Sequence, residues 1–159
     1  LSSWIILFII LISCTENRKF ESQYYHKENR IWSEYLSSIG LHKQTLANNI
    51  LLFMRTSECK PSMNELTWWN DNMNEINNVD VSLILLERYN ERINSFISQH
   101  SISIPAFPDS GATVFKRNLI PASPIKVYFG KDGNIHLIDR IGSGGNLNLF
   151  LSTIKNKSE

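Results

Sequence analysis

Apolar residues recur along this chain in blocks whose spacing switches between helix and strand periods. Ile31, Trp32, Tyr35, Leu36 and Ile39 share one helical face over residues 28–39, and Gly40 is a natural stop. From about Asn49 to Arg55 the run Ile50-Leu51-Leu52-Phe53-Met54 is unbroken and reads as a buried strand. Residues 56–60 make a turn. Pro61 suits a first helical turn, where its missing N–H is not needed. Leu66, Trp69, Met73 and Ile76 carry that helix to about Asn77. Val79–Leu86 is apolar on both alternating faces, as in a parallel strand covered on each side by helices. Tyr89, Ile93, Phe96 and Ile97 mark the next helix, followed by a short strand at 104–107 and a short helix at 111–117. Ile125, Val127 and Phe129 alternate with Lys126 and Tyr128, the pattern of a half-buried strand. Gly130-Lys131-Asp132-Gly133 turns the chain into a returning strand at 134–141. Leu147, Phe150, Leu151 and Ile154 give a last helix.

The order is β-α-β-α, a short β-α insertion, then β-β-α. Parallel strands joined by a helix, with an antiparallel hairpin, predict an α/β mixed sheet with helices on both faces and a helical extension in front. A length of 159 residues, 42% hydrophobic and 19% charged, suits one folded domain. Sixteen Lys and Arg against 15 Asp and Glu leave a net charge of +1, with no basic block, which argues against a nucleic-acid partner. His26, His42, His100 and His136 lack metal-ligand spacing, so no metal site and no cofactor are expected.

Trp4–Ile12 is a continuous apolar run, too short for the ~20 residues of a membrane-spanning helix but of signal-peptide length. No Lys or Arg precedes it. It ends in Leu11-Ile12-Ser13-Cys14, which resembles the bacterial lipobox. The resemblance implies cleavage before Cys14 and lipidation of its thiol. Residues 1–14 would then be a lipoprotein signal peptide, 15–47 a tether and N-terminal helix, and 48–156 the main domain. The protein would sit in the bacterial cell envelope, facing the periplasm or the outside, anchored to a membrane by acyl chains. The alternative for the run is a short buried strand or a free N-terminal anchor.

With Cys14 lipidated, Cys59 would be the only thiol of the mature chain, open to intermolecular pairing or reaction. Cys59-Lys60-Pro61-Ser62 falls at the predicted strand-to-helix turn, where a helix N-terminus stabilises a thiolate. Lys60 helps that charge and Glu58 opposes it. A turn before Pro61 argues against the deep burial of an inert cysteine.

The chain resembles the thioredoxin-fold family, in its periplasmic TlpA-type and peroxiredoxin-like branch, over about residues 48–156. Four stretches carry the resemblance in order. Cys59-Lys60-Pro61-Ser62-Met63-Asn64-Glu65 is similar to C-x-P-C-x-x-E. Ile104-Pro105-Ala106-Phe107-Pro108-Asp109 is similar to an inserted segment of this branch. Ala122-Ser123-Pro124-Ile125 stands in place of a T-P-T turn, and Tyr128–Ile135 resembles the D-G hairpin.

The resemblance implies a thioredoxin-like sheet, a nucleophilic Cys59, and a cis Pro124 whose loop with Ser123 docks a client strand. Ser62 replaces the resolving cysteine. It is either a hydroxyl that bonds the thiolate and blocks resolution, or what is left after loss of a cysteine. Phe53 and Leu52 occupy the strand positions where many thioredoxins carry a buried acid, so that acid is expected to be missing. The function implied is membrane-tethered exchange with protein thiols and disulfides, or with a small thiol, through a mixed disulfide on Cys59. The alternative is a redox-inactive thioredoxin-fold module that binds extracytoplasmic protein clients.

Overall fold

The computed structural model describes residues 29–42, 46–76, 78–142 and 145–158. The apolar run, Cys14 and the chain up to residue 28 lie outside them. The elements are α1 (Asn29–Ser38), β1 (Asn49–Met54), α2 (Lys60–Asn72), a 3-10 turn (Met73–Glu75), β2 (Asp80–Leu85) and α3 (Asn90–Gln99). After these come β3 (Ala106–Pro108), α4 (Thr113–Lys116), β4 (Ile125–Phe129), β5 (Ile135–Arg140) and α5 (Leu147–Ser158). The strands form one five-stranded sheet in the order β3-β2-β1-β4-β5. β1, β2 and β3 run parallel, and β4 and β5 are antiparallel additions.

Alternation along β1 divides the interior in two. Leu51 and Phe53 face a cluster that includes Trp32, Tyr35 and Leu36 of α1 and Val114 of α4. Ile50, Leu52 and Met54 face the other, with Leu66 and Trp69 of α2, Ile93 and Phe96 of α3, and Phe150 and Ile154 of α5. Every residue of β1 is buried, as its unbroken apolar run requires. Each such side chain contributes about 1.5–3 kcal/mol on leaving water. Helix α1 is therefore part of the packed body. Its Tyr35 hydroxyl donates to Asp109 at 3.1 Å, in the interior. Burial first, and then the Asp109 charge, push that phenol far above its ordinary pKa.

Two local expectations are corrected. Helix α2 stops at Asn72 rather than near Asn77, and the Asn72 amide donates back to the Trp68 carbonyl at 2.7 Å. Asn side chains compete in this way with the helical ladder. Strand β4 is not half-buried: all five of its residues are buried, including Lys126. The pattern failed because the face assigned to water by Lys126 and Tyr128 is covered by the second cluster, and the lysine is ion-paired beneath it.

Candidate active site

Cys59 is the N-cap residue of α2 and is exposed. Its carbonyl accepts the first helical bond, from Met63 N at 3.1 Å. Pro61 occupies the first turn, as its ring geometry favours. Cys59 Sγ lies 3.4 Å from Ser62 Oγ, and Ser62 is 1% exposed. The Ser62 hydroxyl and then its backbone N–H favour the thiolate and hold the Cys59 thiol below its ordinary pKa, against the charge of Glu58. Lys60 is exposed beside it.

The Ser123–Pro124 peptide is cis. Two contacts place this loop beside the Cys59 turn. Ser123 Oγ donates to Glu58 Oε1 at 3.3 Å. Ile141 N donates to the Pro124 carbonyl at 3.3 Å, while the Ile141 carbonyl accepts from Ser62 Oγ at 3.3 Å. One residue, Ile141, thus touches both Pro124 and Ser62.

The same peptide group leads to a buried carboxylate. Gly142 N, bonded to the Ile141 carbonyl carbon, donates to Glu65 Oε2 at 2.7 Å. Glu65 Oε1 accepts from Trp69 Nε1 at 3.2 Å and pairs with Lys126 Nζ at 2.9 Å. Lys126, fully buried, also pairs with Asp139 Oδ2 at 2.9 Å and donates to the Arg140 carbonyl. All three ammonium hydrogens therefore have acceptors. Gly142 must be glycine here: its φ is +82°, and a Cβ would lie 2.6 Å from Ser62 N.

The acid expected to be missing from the strand is missing: Leu52 and Phe53 are buried apolar residues of β1. Glu65 of α2 is a different buried carboxylate, linked to Ser62 through the Ile141–Gly142 peptide. The signal was the i, i+4 spacing of Glu65 and Trp69, which puts the carboxylate on the helix face carrying Trp69 into the core. Lys126, Asp139 and Gly142 were missed. Among the described residues, no group of three or more His, Cys, Asp or Glu is placed to hold a metal ion.

No protein-family model matches the sequence, and no curated protein sequence does. Solved structures do. A secreted disulfide oxidoreductase of Mycobacterium tuberculosis, homologous to E. coli DsbE, superposes with a TM-score of 0.57 at 16% identity, over 74% of this chain and 83% of that one. StoA from Bacillus subtilis gives 0.55 at 20% identity, over 73% and 85%. A thiol:disulfide interchange protein of the thioredoxin family from Chlorobium tepidum gives 0.58 at 13% identity, over 78% and 85%. The fold is thioredoxin-like. The cysteine at the β1–α2 turn and the Pro124 loop before β4 are set at one end of this thioredoxin-like sheet.

Proposed function

We propose that this chain is a thiol–disulfide exchange protein that works through Cys59 alone. The observation that carries the reading is the exposed Cys59 at the start of α2, with a buried hydroxyl 3.4 Å from its sulfur. The solved structures it resembles are described as a disulfide oxidoreductase and a thiol:disulfide interchange protein, which supports the same class of chemistry here. The Cys59 thiolate attacks one sulfur of a client disulfide. A Cys59–client bond forms, the client disulfide breaks, and its second sulfur leaves as a thiolate that takes a proton. Ser62 offers no sulfur to repeat the attack from within, so an external thiol completes the cycle. The Ser123–Pro124 loop, tied to Glu58 and Ile141, is the proposed client ledge.

The same reading places the protein in the bacterial cell envelope, held by lipid on Cys14. One of the similar structures is described as secreted, which agrees with export. Fatty-acid labelling in a bacterial host should be lost in Cys14→Ala; labelling that survives removes the anchor from the reading.

Ser62→Cys tests the mechanism. The new thiol would stand beside the Ile141–Gly142 peptide that is bonded to Glu65. Wild type is expected to reduce insulin negligibly and Ser62→Cys measurably, with Cys59→Ala removing the gain. No gain in Ser62→Cys would count against a nucleophilic Cys59.

A further inference from the structure

The parallel strands end in register, with Met54 paired to Leu85 and Leu85 to Pro108. Crevices beyond the carboxyl ends of parallel strands are the usual ligand sites of open α/β sheets. An open cavity of about 360 Å³ lies there, lined among others by Arg55, Ser57, Glu87, Arg88, Asp109 and Ser110. That volume falls within the ~300–1,000 Å³ of small-ligand pockets.

Its hydrogen-bonding capacity is lopsided. The carboxylates are committed to the protein. Asp109 accepts from Tyr35 Oη, Thr113 N and Val114 N at 3.1, 2.8 and 3.0 Å. Glu87 Oε2 accepts from Thr56 Oγ1 at 2.8 Å and faces Arg92 at 3.9 Å, while Oε1 accepts the backbone N–H groups of Arg88 and Tyr89. The guanidiniums are not committed. Among the described residues, neither Arg55 nor Arg88 forms an ion pair, and both are exposed. Arg88 only flanks the Tyr89 ring, at 5.9 Å. The Ser57 and Ser110 hydroxyls also lack partners among the described residues. Beside two carboxylates already occupied by protein donors, the cavity thus offers hydroxyls and two arginines that form no ion pair among the described residues, groups that can bind a carboxylate. Ser57 precedes Cys59 by two residues, so their Cα atoms lie within ~7 Å.

We infer that this cavity seats the carboxylate of a low-molecular-weight thiol or disulfide while its sulfur reaches Cys59. The inference rests on the exchange reading above and names the small partner. With a disulfide R–S–S–R, the Cys59 thiolate bonds one sulfur, the R–S–S–R bond breaks, and R–S⁻ leaves and is protonated by solvent. With a client already on Cys59, a seated R–S⁻ attacks Cys59 Sγ, forms Cys59–S–S–R and expels the client thiolate. Both steps balance without an outside oxidant or reductant.

The test compares rates of Cys59 adduct formation, by intact mass, with oxidised glutathione and with uncharged hydroxyethyl disulfide. Oxidised glutathione carries carboxylates on both halves. In Arg55→Gln/Arg88→Gln its rate is expected to fall roughly fivefold, and the wild-type preference to weaken with added salt. The hydroxyethyl disulfide rate stays unchanged and reports that the variant is folded. Equal rate ratios in wild type and double variant would overturn the inference while leaving exchange intact. So would an arginine dependence seen only with a disulfide-linked acidic peptide, which would give the cavity to an acidic client. If neither small disulfide reacts with wild type, the exchange reading falls and this one with it.

Discussion

Ser62 has one hydroxyl hydrogen and two acceptors within reach, Cys59 Sγ at 3.4 Å and the Ile141 carbonyl at 3.3 Å. It serves one at a time. With Cys59 as a thiol, the S–H can point at Ser62 Oγ while the hydroxyl donates to Ile141. With Cys59 as a thiolate, the hydroxyl turns to the sulfur and releases the carbonyl. Ser62 is therefore more than a gap in place of a second sulfur. Its donation is the first cause of the lowered Cys59 pKa, followed by its backbone N–H. Alkylation of Cys59 follows the thiolate and should reach half-maximal rate below the ~8.5 of a free thiol. Ser62→Ala removes the donated hydroxyl and should move that midpoint upward. A midpoint that does not move would assign the lowering to the backbone alone.

At the scale of elements, the Glu65–Lys126–Asp139 group ties α2, β4 and β5 together beneath the site. Lys126 is the only cation pairing these two carboxylates among the described residues, and the Phe150 ring of α5 packs 5.1 Å from its ammonium. Removing one partner of a buried ion pair strands the other and costs about 3–5 kcal/mol. Lys126→Ala is expected to lose that much in urea unfolding. Lys126→Met with Glu65→Gln should recover part of it, since no buried carboxylate is stranded at Glu65, although the glutamine has one oxygen for the two donors Gly142 N and Trp69 Nε1. A single-variant loss under ~1 kcal/mol would mean that water reaches the pair.

For the molecule as a whole, the order of elements was legible because β1 and β2 are apolar on both faces and the helices have one apolar face each. Trp69 proved fully buried and Trp68 only partly so, as helical position dictated. Cys59 was legible because a lone cysteine before Pro61 is chemically conspicuous. Lys126 was not, because a charged residue in an alternating strand normally faces water, and only the partners brought by α2 and β5 permit its burial. Nor was the cavity legible, since Arg55, Arg88 and Asp109 are far apart in sequence and meet only through strand register. The central claim is that Cys59 forms a covalent bond to sulfur that nothing inside the chain undoes. Its direct measurement is the intact mass of wild type after a small disulfide at neutral pH and removal of excess reagent. One adduct on Cys59 should form, persist without added thiol and vanish in Cys59→Ala. Wild type that stays unmodified, or an adduct that discharges by itself, would contradict it.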